Sequence, residues 1–160
     1  MVRMQVHKVG LDPRRLPFVL LVDEDHHRML PIWVGPFEAN AIATELRGDV
    51  FPRPLTHDLL RNVVETLGYE ISQVSVTRLE DSTYYALLHL YSPTRTLEID
   101  CRPSDAIALA LRCGAPIFVA EEVLQEGEVD EEIERFKGLV GGLDEQVGES
   151  DLGPPPEDQA

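Results

Sequence analysis

The feature that most constrains this chain is a repeat. The run Ala41-Ile42-Ala43-Thr44-Glu45-Leu46-Arg47 returns as Ala106-Ile107-Ala108-Leu109-Ala110-Leu111-Arg112, 65 positions later (41 to 106). The same offset lays Val2–Val9 over Leu67–Val74, Pro17–Val22 over Ser82–Leu87, and Arg28–Val34 over Pro93–Ile99. These segments carry the alternation or the short apolar run of strands. The chain therefore reads as strand-strand-strand-helix twice, with a further helix near Thr56–Leu67 between the copies. Two alanine-rich helices can match by coincidence, but agreement of the strands favours a duplication. Gly35 then corresponds to Asp100 and Asn40 to Asp105, so polar chemistry gathers in the second copy.

Local punctuation fits that plan. Gly35-Pro36 breaks a strand, and a proline suits the first helical turn; Gly48 ends the helix that follows. Leu59, Leu60, Val63, Val64 and Leu67 form one face of the middle helix, with Gly68 as its cap. Strands are expected at Tyr69–Leu79, Thr83–Tyr91 and Thr96–Cys101, a third helix at Pro103–Cys113 and a short strand at Pro116–Val119. The expected class is α+β, a mixed or antiparallel sheet with three main helices packed on it, over residues 1–125. An acidic, weakly helical extension follows over 126–137, with Glu131–Phe136 as its helix. A disordered acidic tail over 138–160, marked by Gly141-Gly142 and Pro154-Pro155-Pro156, completes the reading.

Composition narrows the classes. No apolar run approaches the ~20 residues of a membrane span, and the first residues lack the apolar stretch of a signal peptide. Two cysteines, Cys101 and Cys113, suit a reducing cytoplasm better than a secreted, disulfide-bonded scaffold. The net charge of −15 looks hostile to nucleic acid. However, residues 120–160 hold 14 of the 29 acids and 2 of the 14 bases, so the rest of the chain is near balance. Most of its bases are arginines, which fork onto phosphate or carboxylate; a compositional bias toward arginine explains them as well.

Two segments concentrate groups that could do chemistry. In Phe51-Pro52-Arg53-Pro54-Leu55-Thr56-His57-Asp58, the prolines fix their own φ and hold Arg53 extended. Arg53 stands just ahead of a helix start, whose free N–H groups and partial positive charge attract anions. Thr56 is the expected N-cap. His57 has the ring chemistry of a general acid or base near neutral pH. Asp58 could orient it, hold a metal, or simply favour the helix dipole.

In Glu98-Ile99-Asp100-Cys101-Arg102-Pro103-Ser104-Asp105, Asp100 and Arg102 alternate with Ile99 and Cys101 and point away from the core side. Asp100 and Asp105 could hold a hard divalent cation such as Mg²⁺, with Glu38 as a third carboxylate. The plainer alternative is an Arg102–Asp105 pair locking strand to helix. His7, His26, His27 and His89 lack metal-ligand spacing, and Trp33, Phe37, Tyr84 and Tyr85 are expected in the core or an interface. Phosphate-binding glycine loops, paired CxxC and GxSxG motifs are absent.

Taken together, the stretches Leu30–Ala39, Pro52–Leu59, Thr83–Ala86, Asp100–Ala110 and Ala115–Val119 resemble the bifunctional nuclease family. That resemblance implies an enzyme cleaving both DNA and RNA. It covers nearly all of the chain outside the tail. Cys101 departs from it, since a small residue such as alanine is commoner there. Some relatives carry a C-terminal UVR-type helical segment, which the proline-ended tail does not match. The resemblance carries no catalytic residues with it.

The reading is therefore a nuclease. Arg53, Arg102 and Thr56 bind substrate, His57, Asp58, Asp100 and Asp105 act in catalysis, and Asp100, Asp105 and Glu38 hold a divalent metal. The alternatives are a non-catalytic nucleic-acid- or protein-binding regulatory domain whose charged motifs are structural, or a small-molecule phosphodiesterase. Ile32-Trp33-Val34 and Thr83–Tyr91 supply apolar surface for a homo-oligomer.

Overall fold

The computed structural model describes residues 1–128, which form a unit of their own. Three strands open the chain: β1 (Val2–Leu11), β2 (Pro17–Asp23) and β3 (Met29–Trp33). Helices α1 (Pro36–Arg47) and α2 (Thr56–Thr66) follow. A second run of three strands is β4 (Glu70–Glu80), β5 (Thr83–Ser92) and β6 (Arg95–Cys101). Then come α3 (Pro103–Cys113), β7 (Ile117–Val119) and α4 (Glu121–Glu128). The strands make one mixed sheet in the order β3-β2-β1-β7-β4-β5-β6. Each run is an antiparallel meander, and β7 joins them, antiparallel to β1 and parallel to β4.

The architecture is α+β, and the strand-strand-strand-helix succession occurs twice. The helix starts adjust the correspondence drawn from the sequence. Pro36 opens α1 and Pro103 opens α3, so Glu38 and Asp105 hold the same third position of their helices. Asn40, expected to match Asp105, lies two residues further on. The fourth helix, α4, was not foreseen. Val123 and Leu124 are fully buried and anchor it. The expected helix at 131–136 and the tail at 138–160 lie outside the described residues.

One sheet face carries the helices. Val74, Val76, Ala86, Leu88 and Leu90 pack there against Ile107, Ala108 and Ala110 of α3 and Ile42 of α1 in one continuous core. Each fully buried leucine or isoleucine in it is worth roughly 1.5–3 kcal/mol. α1 and α3 are in contact, and Ala39 and Ala43 of the one and Ala106 and Ala110 of the other are all buried. β2 is buried on both faces: Val19 and Leu21 join the helix-side core, while Phe18, Leu20 and Val22 are equally buried outside it. Ile32 is buried too, which removes it from the apolar surface expected for an oligomer.

Exposed apolar side chains instead line one side of α2. Leu59, Leu60, Val63 and Leu67 stand in solvent, Leu67 at 70 % exposure. The helix rests on its other side, where His57 is buried and Val64 packs against the core. No helix of the described residues is long and apolar enough to cross a membrane.

Candidate active site

The first turns of α1, α2 and α3 meet through one chain of charged contacts. On α2, Pro52, Arg53 and Pro54 are exposed ahead of the helix, and Arg53 has no ion-pair partner among the described residues. The cap position belongs to Leu55, with Thr56 already helical. Thr56 is therefore not the N-cap expected of it. Asp58 supplies the acceptor instead: its Oδ2 takes the Leu55 backbone N–H at 2.9 Å.

His57, only 8 % exposed, places Nε2 2.9 Å from Oδ1 of Asp105 at the start of α3. Oδ2 of Asp105 accepts the Nε–H of Arg102 at 2.8 Å. The Nη2 of Arg102 then reaches Oε1 of Glu38 on α1 at 2.9 Å. Glu38 folds back over Gly35, where a Cβ would collide with its carboxylate. A larger residue at that bend would require the flexible Glu38 side chain to move aside.

Protonation follows from these partners. Burial pushes the Asp105 carboxyl up, but hydrogen bonds from Arg102 and His57 outweigh it and hold its pKa below the usual range. Arg102 is correspondingly raised, chiefly by Asp105 and then by Glu38. An ionised carboxylate only accepts, so Nε2 of His57 carries the proton. In the neutral ring, Nδ1 then holds the lone pair. It has no protein partner among the described residues, yet no unpartnered polar side-chain atom is buried there. Nδ1 is therefore not wholly shut off from solvent. Arg102 is 65 % exposed in its side chain, and its Nη1 has no protein partner among the described residues. Three helix N-termini, each worth about half a positive charge, converge on this spot.

The other expected residues go elsewhere. Oδ1 of Asp58 accepts from Nε of Arg112 at 2.8 Å. With Oδ2 on Leu55, both oxygens of Asp58 are engaged inside the fold. Burial raises its carboxyl, yet the Leu55 N–H and Arg112 outweigh that and lower its pKa. Asp100 pairs across the sheet with Leu87, while its neighbours Ile99 and Cys101 pair with core residues Leu88 and Ala86. Cross-strand partners share a face, so Asp100 lies on the sheet face away from the helices and from His57. On that same face Ser75 Oγ meets His89 Nε2 at 2.8 Å and His89 Nδ1 stands 3.5 Å from Glu98. Ser75 is only 1 % exposed, closed to any substrate.

The three carboxylates expected to hold a divalent metal are not all brought together. Asp100 is on the opposite face, and Glu38 and Asp105 share one guanidinium. Among the described residues, no three His, Cys, Asp or Glu side chains group so as to hold an ion. Cys101 supplies no nucleophile, since burial and then Asp100 and Asp105 push its thiol to about 11.

Two residues took roles that the sequence did not announce. Phe37, expected in a core or interface, is not in the core: it is 86 % exposed beside Glu38 at the second position of α1. Arg112, in the last turn of α3, is buried. Besides holding Asp58, it donates to the carbonyls of Ala108 at 2.9 Å and Ala41 at 3.0 Å. The one available signal was an arginine inside an otherwise apolar helix, which must find partners when buried.

Comparison with known proteins gives the family. The sequence model of a family described as Bifunctional nuclease domain matches residues 19–132. An uncharacterized protein of Mycobacterium tuberculosis is 40 % identical over 157 residues, covering 87 % of this chain and 94 % of its own length. Bifunctional nuclease 1 of Oryza sativa subsp. indica is 31 % identical over 108 residues, 66 % of this chain and 33 % of that protein. Bifunctional nuclease 1 of Arabidopsis thaliana is 27 % identical over 133 residues, 76 % of this chain and 41 % of that protein. The chain thus spans well under half of the plant proteins, and its site residues Glu38, His57, Arg102 and Asp105 all fall within the matched region. This chain belongs to the bifunctional nuclease domain family.

Proposed function

We propose that the chain is a nuclease that breaks phosphodiester bonds of nucleic acid where the starts of α1, α2 and α3 meet. The observation that carries this reading is His57: its Nε2–H is fixed by Asp105 while Nδ1 stays open, beside an exposed arginine. His57 serves as the base, taking a proton at Nδ1. Asp105 is a positioning residue that holds the tautomer. Arg102 and the unpaired Arg53 bind phosphate, helped by the converging N-termini. Phe37 offers a face on which a base can stack, an interaction worth about 1–3 kcal/mol.

The test is a cleavage assay of the purified chain on single-stranded DNA and RNA, with and without chelator, beside His57→Gln. Cleavage is expected from the parent and not from the variant. Undiminished cleavage by a folded His57→Gln protein removes His57 from the mechanism.

One observation favours the non-catalytic reading, in which the charged motifs are locks: Arg102 already pairs with both Glu38 and Asp105. A double-mutant cycle on Arg102 and Asp105 showing strong coupling in stability, together with no turnover of any nucleic acid, decides for it.

A further inference from the structure

We propose that the exposed side of α2 is an interface between two copies of this chain, paired antiparallel about a two-fold axis at Val63. The inference is independent of the nuclease reading. It starts from the polarity of α2, which departs from that of an ordinary surface helix. At 3.6 residues per turn, Leu59, Leu60, Val63 and Leu67 share one arc of the helix, with Thr56 inside it and Thr66 at its border. All six are exposed, the four apolar ones by 43–70 %. The three acidic and basic residues of α2 lie on the opposite arc. There Asp58 is clamped to Arg112, Arg61 is half-buried against Asn62, and Glu65 follows one turn on. A surface helix ordinarily turns its charge outward and its apolar stripe inward.

The partner must bring no charge onto this stripe, because burying a charge against apolar surface is costly. The stripe itself meets that requirement. Leu60, Val63 and Leu67 have the three- and four-residue spacing of a coiled-coil seam, and a two-fold interface sets one patch against its own copy. The ends of the helix fix the direction. The N-terminal end carries the partial positive charge of its free N–H groups, with exposed Arg53 just ahead of it. The C-terminal end has no basic residue in its last turn. Glu65 there and Glu70 just beyond are exposed, and neither has an ion-pair partner among the described residues. Antiparallel pairing sets each negative end beside the partner's positive end, whereas parallel pairing sets like ends together. Val63 is the middle of the stripe, so it meets its own counterpart, and Leu59 lies across from the partner's Leu67. Two turns of helix make a small interface, in the class under about 1,200 Å² in total, so the dimer is weak and depends on concentration.

The experiment is sedimentation equilibrium of the full chain over a series reaching tens of micromolar, beside Val63→Glu and the uncharged Val63→Ser. Circular dichroism checks that each variant is folded. The parent is expected to show a monomer–dimer equilibrium. Val63→Glu sets two carboxylates face to face on the axis and should raise the dissociation constant at least about tenfold, with Val63→Ser moving it the same way by less. Oxidation of Val63→Cys should give a disulfide-linked dimer above the background of the parent. Leu67→Cys should not, because antiparallel pairing holds its two copies about 12 Å apart along the axis, beyond the reach of a disulfide. A parent that stays monomeric throughout the series overturns the inference. So does a dimer that neither folded Val63 variant weakens, since it uses another face. Crosslinking through Leu67→Cys in place of Val63→Cys overturns the antiparallel arrangement.

Discussion

His57 and Asp58 are neighbours in the first turn of α2, and each meets a partner on α3, yet their surroundings differ. Asp58 reaches Arg112, whose side chain is 2 % exposed and whose three nitrogens all bond, to Asp58, Ala108 and Ala41. His57 reaches Asp105 and through it Arg102, a largely exposed guanidinium with donors to spare. One set of contacts closes on itself and joins α1, α2 and α3. The other ends in groups that still need partners. A buried charge network without spare valence can only hold structure, whereas an open one can also receive a ligand. The inner clamp fixes where α2 begins, and so fixes where His57 lies relative to Asp105.

Breaking the inner network should therefore have the largest effect on stability. Arg112→Ala leaves Asp58 and two backbone carbonyls without their donor, and removing one partner of a buried pair typically costs about 3–5 kcal/mol. Arg102→Ala, in the open network, is expected to cost under about 1 kcal/mol while reducing cleavage strongly. Thermal melts of the two variants should differ clearly. Equal melting temperatures would mean that the two networks do not differ as described.

Asp105→Asn tests the open network on its own. Replacing a carboxylate that fixes a histidine tautomer has cost up to about 10⁴-fold in rate where a histidine base depends on it. The expected result here is a large fall in kcat with little change in KM and with the alkaline or acidic limb of the pH profile displaced. A variant that loses only stability would make Asp105 a lock and nothing more. For Phe37→Ala the expected change is weaker binding of single strands, by about 1–3 kcal/mol, and an unchanged melt, because the ring is already in solvent.

Acid should affect both networks with the same sign. The folded pKa values of Asp58 and Asp105 both lie below the ordinary 3.8. A carboxylate of that kind stabilises the fold fully above its unfolded pKa, and its contribution fades as pH falls through the lowered folded value. Stability is thus expected to hold from neutral pH down to about 4 as far as these two groups are concerned, and to drop below it. In Asp58→Asn that drop should shrink. Chemical denaturation between pH 2 and 6 measures it, and an unaltered acid limb in the variant would free Asp58 from the clamp.

Much of the fold was legible because its local signals agree. Pro36 and Pro103 mark helix starts, Gly48 ends α1 as expected and does so in the left-handed conformation, and strand alternation set the meanders. What could not be read was which helix faces meet. Asp58 and His57 are equally polar in the sequence, and only the docking of α2 on α3 sends one inward to Arg112 and the other to Asp105. Asp100 illustrates a second limit. Its direction away from the core side was legible from alternation, but whether Asp105 would share that side depends on where the chain turns from β6 into α3. Phe37 is a third case, because nothing local distinguishes an aromatic that packs under a helix start from one that stands out from it. β7, only three residues long, joins the two meanders through pairings far apart in sequence, which local patterns do not carry.

The smallest expected effect lies on the outer side of α2, opposite the face that carries the two networks. Leu59 and Leu67 are more than half exposed, so replacing both with serine removes little buried area and should shift stability by no more than about 0.5 kcal/mol each. The same change on the inner side, at Val64 beside the core, should cost more. Sedimentation run beside the melt separates two roles for the outer stripe. A loss of mass with an unchanged melt would assign it to self-association, and an unchanged mass would leave it as surface. A large fall in melting temperature would contradict the docking of α2 drawn above and, with it, the placement of His57 and Asp58 on opposite sides of the comparison.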